Sequence, residues 1–203
     1  VGTTSKRPEA TPAEGQLRGG RGARERILRT AARLFYEQGV NATGMEQLTD
    51  VAHVSKRTFY LHFPSKEALV EAYLHRFRTD APLAREHVLT RADLPARDRL
   101  LAMFERPESS VALRGCPFHN VAVEIADVSA PARTLVSNHK REFAERIREV
   151  AAAAGASDPD RLARQLAVLY DGATALAIAV NSPEPYDDAR SAAEALIDGG
   201  VPA

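Results

Sequence analysis

The first regular pattern in the chain begins at Ala23, after which Ile27, Leu28, Ala31, Ala32, Leu34 and Phe35 recur at steps of three and four residues, and Gly39 follows. That period lays the apolar side chains along one stripe of a helix, and the glycine beyond them predicts its C-cap. In NATGMEQLTDVA, Thr43 and Glu46 have capping-box spacing, and Met45, Leu48, Val51 and Ala52 make a short apolar face. Together they predict a second helix of about two turns. His53 and Val54 read as a turn. Ser55 reads as the N-cap of a third helix that runs through Phe63 until Pro64 stops it, and Ser65 as the cap of a fourth.

Downstream the period stays helical. Residues 65–89 carry Leu69, Tyr73 and Phe77 on one stripe, with Pro82 a kink or break, and Pro95 opens a helix to about Arg106. RGCPFHN bends into a short apolar helix from Val121 to Ala126, and Pro131 stands in the first turn of a long helix ending at Gly155. Asp158 or Asp160 begins another, to about Asn181, and a last helix spans Asp187 to Asp198. No strand-like alternation of useful length and no fixed-period repeat interrupts this. The expected fold is all-α with about nine helices: a three-helix module over 23–64 and a helical body over 65–203. Residues 1–22, rich in Gly, Pro, Thr and charge and without an apolar stripe, cannot offset the entropy of ordering and read as a disordered basic arm with Lys6, Arg7, Arg18 and Arg21.

Composition changes the picture through its distribution. The chain of 203 residues is 44% hydrophobic, enough for a sizeable core, and carries no formal net charge. Residues 1–66, however, hold 11 basic against 6 acidic side chains, leaving 16 against 21 for the rest. An N-terminal module that is basic by five charges points to an anionic partner, nucleic acid foremost. Cys116 is the single cysteine, so no intrachain disulfide forms. With no apolar leader in view, a reducing cytoplasm is the expected location. The longest apolar run, Leu166 to Val180, is broken by Asp171 and falls short of the roughly 20 residues of a membrane span.

The short third helix then carries the chemistry. At about 100° per residue, Phe59 and Phe63 share one side, while Arg57, Thr58 and Leu61 share the other, flanked by Lys56 and Tyr60. Two short helices joined by a tight turn, the second showing bases, a hydroxyl and an aromatic outward, make a helix-turn-helix suited to the major groove of double-stranded DNA. Arg57 can bond guanine O6 and N7 together, Thr58 a base edge or a thymine methyl, and Leu61 that methyl. Lys56, Tyr60, His62 and Lys66 are placed for phosphates, and Thr43 and Ser55 bring helix N-termini whose free N–H groups attract phosphate oxygens. The competing reading makes Lys56, Arg57 and Lys66 a solvated face.

Residues 27–69, ILRTAARLFYEQGVNATGMEQLTDVAHVSKRTFYLHFPSKEAL, resemble the N-terminal domain of the tetracycline-repressor (TetR) family of transcriptional regulators. AARLFYEQG, ATGMEQL, VSKRTFYLHF and FPSKEAL carry the match, and GCPFHNVAVEIAD with DGATALAIAV extends it loosely to residue 198. The chain departs from the family pattern at His53 and Arg57, where glycine is common, and at Leu61, where histidine is common. A non-glycine at 53 is expected to strain the turn. The resemblance implies a one-component regulator, repression being the commoner outcome. Its operator-binding module would be followed over 65–203 by a body that binds a small-molecule effector and pairs with a second copy through the last two long helices.

Ala163, Leu166, Ala167, Tyr170, Ala173, Ala177 and Val180, with Ala189, Ala192, Ala193, Leu196 and Ile197, make small-residue faces suited to such a four-helix interface. The competing reading packs them within one chain. Met103, Phe104, Phe118, Phe143 and Tyr170, with the polar His119, Asn120 and Glu124, are the expected lining of the effector cavity. Core packing is the competing reading for the aromatics, and tying down the bend explains Asn120 and Glu124 equally well.

Cys116, His119, Glu124 and His139 match no strong zinc spacing, and no motif calls for a cofactor. Cys116 reads as a buried apolar residue rather than a redox sensor. Three functions compete at this level: an effector-controlled regulator, a DNA-binding protein without an effector, and an all-α enzyme. No nucleophile with a base, paired carboxylates or phosphate loop supports the enzyme.

Overall fold

The structure is a computed structural model and describes residues 22–79, 83–107 and 114–201. The basic arm and Pro82 fall outside the described residues. Among the described residues ten α-helices and one 3-10 turn follow one another: α1 Ala23–Gln38, α2 Met45–Val51, α3 Lys56–His62, α4 Lys66–Thr79, α5 Ala84–His87, the 3-10 turn Val88–Thr90, α6 Ala96–Ala102, α7 Pro117–Glu124, α8 Pro131–Ala153, α9 Pro159–Val180 and α10 Pro185–Gly200. No strand occurs among the described residues. The helix beyond the nine expected is α5, a single turn too short to show a period. The residues divide into two compact units at Leu69/Val70, inside α4.

In the first unit α1, α2 and α3 pack on one another. Ile27, Ala31, Leu34 and Phe35 of α1 are buried, and Gly39, at φ 98°, ends the helix by donating its N–H to Phe35 O. Thr43 does not cap α2. That helix begins at Gly44 without a side-chain cap, while the fully buried Thr43 hydroxyl donates to Gly39 O at 2.7 Å, satisfying a carbonyl at the end of α1. Ser55 caps α3 as its sequence indicates, its Oγ accepting from Thr58 N–H, and Ser65 Oγ accepts from Ala68 N–H at the head of α4.

His53 sits at φ 52° between α2 and α3, a left-handed conformation that costs a side-chain-bearing residue about 1–2 kcal/mol. His53→Gly should therefore stabilise the protein by about 0.5–1 kcal/mol, net of glycine's larger freedom in the unfolded chain. Denaturant melting tests this, and a lowered midpoint would mean that the imidazole supplies a compensating contact.

In the second unit α8 packs against α6, α7 and α9, and α9 against α10. The core gathers Leu100, Phe104, Phe143, Ile147, Leu166 and Tyr170. The Tyr170 ring lies 5.1 Å from that of Phe143 and 6.3 Å from that of Phe104. α6 stops at Ala102, short of Arg106. α7 starts four residues before the expected Val121, because Pro117 fits the first helical position. α10 likewise starts at a proline, Pro185, rather than at Asp187. Gly115 makes the bend into α7 at φ 67°, and a Cβ there would stand 2.5 Å from Ile178 Cδ1, so only glycine lets this loop lie on α9. No described helix is long and apolar enough to cross a membrane.

Candidate functional site

The two faces of α3 separate as its sequence demands. Phe59 and Phe63 are buried, their rings 6.0 Å apart, with Arg24 of α1 5.3 Å above the Phe63 ring. Lys56, Arg57 and His62 are exposed, and Leu61 and Tyr60 keep 75% and 52% of their surface. Thr58 is half-buried with its hydroxyl 2.9 Å from that of Ser55. An exposed leucine beside an arginine on a helix of seven residues is a poor solvent surface and a good base-reading one. Lys56 Nζ donates to Glu46 Oε1 at 2.9 Å, and this bond holds the Glu46 carboxyl below its ordinary range and raises the lysine. The pair is exposed and therefore weak, so a phosphate can take the lysine from it. Lys66 is half-buried at the first position of α4.

The second unit holds a cleft of about 390 Å³ lined by His75, Phe77 and Arg78 of α4, Glu86 of α5, and His139, Glu142 and Arg146 of α8. None of the residues expected to line an effector cavity lines it. Met103, Phe104, Phe118, Phe143 and Tyr170 are spent on the core, and burial pushes the Tyr170 hydroxyl well above its ordinary range. His119 and Glu124 are half-buried, and Asn120 donates through Nδ2 to Arg114 O at 2.7 Å, tying down the bend before α7.

At the inner wall of the cleft the buried Glu86 accepts from His139 Nε2–H through Oε1 at 3.1 Å and from Arg146 Nη2 through Oε2 at 3.2 Å. Phe118 stacks on His139, centroids 3.6 Å apart and planes within 3°. Cys116 Sγ completes a group whose ligand atoms all lie within 4.8 Å of one another. Burial pushes this thiol up, against the pull of nearby Lys140, which suits a thiol at rest rather than a reactive thiolate. Of the four residues weighed for a metal, then, the structure unites Cys116 and His139, and joins them to Glu86 instead of His119 or Glu124. Glu86 escaped sequence reasoning because a lone glutamate between Arg85 and His87 looks like a solvated charge.

The outward surfaces of α9 and α10 form a further feature. Val168 and Leu176 keep 72% and 57% of their surface and Val180 is exposed, on one stripe with Gly172, where a Cβ would meet nothing within 4 Å. Ala195 and Gly199 are exposed on α10. Of the small-residue faces expected to pair two chains, Ala163, Leu166, Tyr170, Ala173 and Ala177 of α9 and Ala189, Ala193 and Ile197 of α10 are buried within one chain, Ala167 and Leu196 are half-buried, and Val180 and Ala192 are exposed.

Residues 27–73 match the family described as bacterial regulatory proteins, tetR family, and residues 96–193 match the tetracyclin repressor-like C-terminal domain. A TetR transcriptional regulator of solved structure from Streptomyces avermitilis is 35% identical, over 85% of this chain and 98% of its own, with a TM-score of 0.69. The chain belongs to the TetR family. The transcriptional repressor NemR of Escherichia coli is 26% identical over 86% of this chain and 93% of its own length. The repressor DhaR of a Mycobacterium is 30% identical over 55% of this chain, which spans 56% of DhaR's length. This TetR-family chain is accordingly a DNA-binding transcriptional regulator rather than an enzyme, and α2 and α3 lie within the span that matches the family's N-terminal model.

Proposed function

We propose that two copies of this regulator pair through the outward faces of α9 and α10 and repress transcription by placing their α3 helices in successive major grooves of a double-stranded operator. Pairing matters because one short reader binds weakly, whereas two-fold symmetry sets two readers about one DNA turn, ~34 Å, apart. A small molecule entering the cleft between α4, α5 and α8 releases the operator. It does so only by binding the DNA-competent and incompetent states unequally. The cleft mixes cationic, carboxylate and aromatic walls, which fits a small polar molecule with an apolar part. The protein acts where the chromosome is, in the cytoplasm.

The observation that carries this reading is the division of α3 into a buried Phe59/Phe63 face and an exposed Arg57/Leu61 face. Selection from random duplex DNA over a salt series tests it: a two-half-site sequence should be enriched, and binding without preference would remove the operator. In the same selection Arg57→Ala should cost about 1–3 kcal/mol of discrimination at one guanine per half-site. An unaltered preference would take Arg57 off the reading face.

A further inference from the structure

We propose that Glu86, Cys116 and His139 form a site for a divalent transition-metal ion, Zn2+ foremost, in the wall of the cleft. Their donors come from three separate places in the fold: α5, the N-cap of α7 and α8. All three residues are buried, and their ligand atoms lie within 4.8 Å of one another. Tetrahedral zinc with bonds of about 2.0–2.3 Å sets ligand atoms about 3.3–3.6 Å apart. The 3.1 Å between His139 Nε2 and Glu86 Oε1 is already near that spacing, so an ion fits between these two atoms with little movement of either, the neutral imidazole then carrying its proton on Nδ1.

The surroundings orient the ligands. Phe118 stacked on His139 holds the imidazole plane, leaving Nε2 aimed in that plane at the carboxylate. Arg146 engages Glu86 Oε2 and leaves Oε1 for the ion, the kind of supporting bond that commonly positions a carboxylate ligand. On binding, the Cys116 proton passes to solvent and the sulfur coordinates as thiolate. One carboxylate, one imidazole and one thiolate are a borderline-soft set that suits zinc and disfavours calcium or magnesium. Because Glu86 and His139 also line the cleft, the fourth position opens there to water or to a donor atom of an entering molecule.

The inference adds an ion to the wall of the cleft proposed for the effector, but it rests on ligand geometry alone and its test reads the metal, so the two readings fail separately. The full chain, freed of any affinity tag and stripped with chelator, is titrated with Co2+. One equivalent per chain should give intense visible bands of four-coordinate cobalt and a near-ultraviolet thiolate-to-cobalt charge-transfer band, both erased by added Zn2+. Cys116→Ser, folded by circular dichroism, should lose the charge-transfer band. No such band at one equivalent, or a band that survives in Cys116→Ser, overturns the site. Should Cys116→Ser fail to fold, His139→Gln takes its place: Co2+ affinity should fall tenfold or more, and an unchanged affinity overturns the site.

Discussion

On the proposed pairing through α9 and α10, Leu176→Asp is expected to give a monomer and to abolish operator binding at concentrations where the parent protein saturates its site. The stripe Val168, Gly172, Leu176 and Val180 runs down α9 at four-residue steps, and each position faces away from the chain's own core. Branched apolar side chains left more than half exposed in a row mark a surface meant to be covered. Gly172, and Gly199 on α10, have open space where a side chain would project, so a second helix pair can approach closely there. A carboxylate introduced at this seam is buried without a partner, at a cost of about 3–5 kcal/mol. At about 1.4 kcal/mol per decade, that weakens pairing by roughly 100- to 4000-fold. Light scattering gives the mass directly, and an intact dimer would place the interface elsewhere. The same change at Tyr170 should behave differently, unfolding the bundle, because Tyr170 is held between Phe104 and Phe143 in the core.

That contrast shows where the sequence was legible and where it was not. Along α1 and α3 one face is apolar and the other polar, so period alone put Phe35, Phe59 and Phe63 inside, and local chemistry placed Gly39 and Ser55 at the helix ends. α9 is apolar on both sides: Leu166, Tyr170 and Ala173 face the core while Val168 and Leu176 face outward. Hydrophobic period cannot tell an intrachain core from an interface between copies, and of the stripe expected to pair two chains only Val180 and Ala192 stay exposed. Thr43 failed for a related reason. Its spacing to Glu46 fits a capping box, but a hydroxyl that can serve the end of α1 or the start of α2 is assigned only by the path of the loop. The cleft was illegible because its wall depends on Glu86, a buried charge compensated by His139 and Arg146 more than fifty residues away. Burial of a carboxylate is the exception that composition argues against.

The second large effect is expected from Phe59→Ala, which should remove DNA binding while leaving the mass in solution the same as that of the parent protein. Phe59 is fully buried, edge-on to Tyr60 at 5.4 Å and beside Phe63, at the point where α3 meets α1 and α2. Truncating a buried phenylalanine to alanine costs about 3–5 kcal/mol. A unit of this size buries too little surface to hold a large reserve, so that cost is comparable to its whole stability. Loss of the unit takes the geometry of α3 with it, and Arg57 and Leu61 no longer share a rigid face. Hydrogen exchange should show the amides of α1 to α3 unprotected while those of α8 and α9 stay slow, with fluorescence anisotropy reporting no operator binding. Wild-type affinity in this variant would mean that the reader is held by something other than its aromatic underside. Arg57→Ala differs in kind: it leaves the unit folded and alters only which sequence is preferred, so the two substitutions separate holding the helix in place from reading with it.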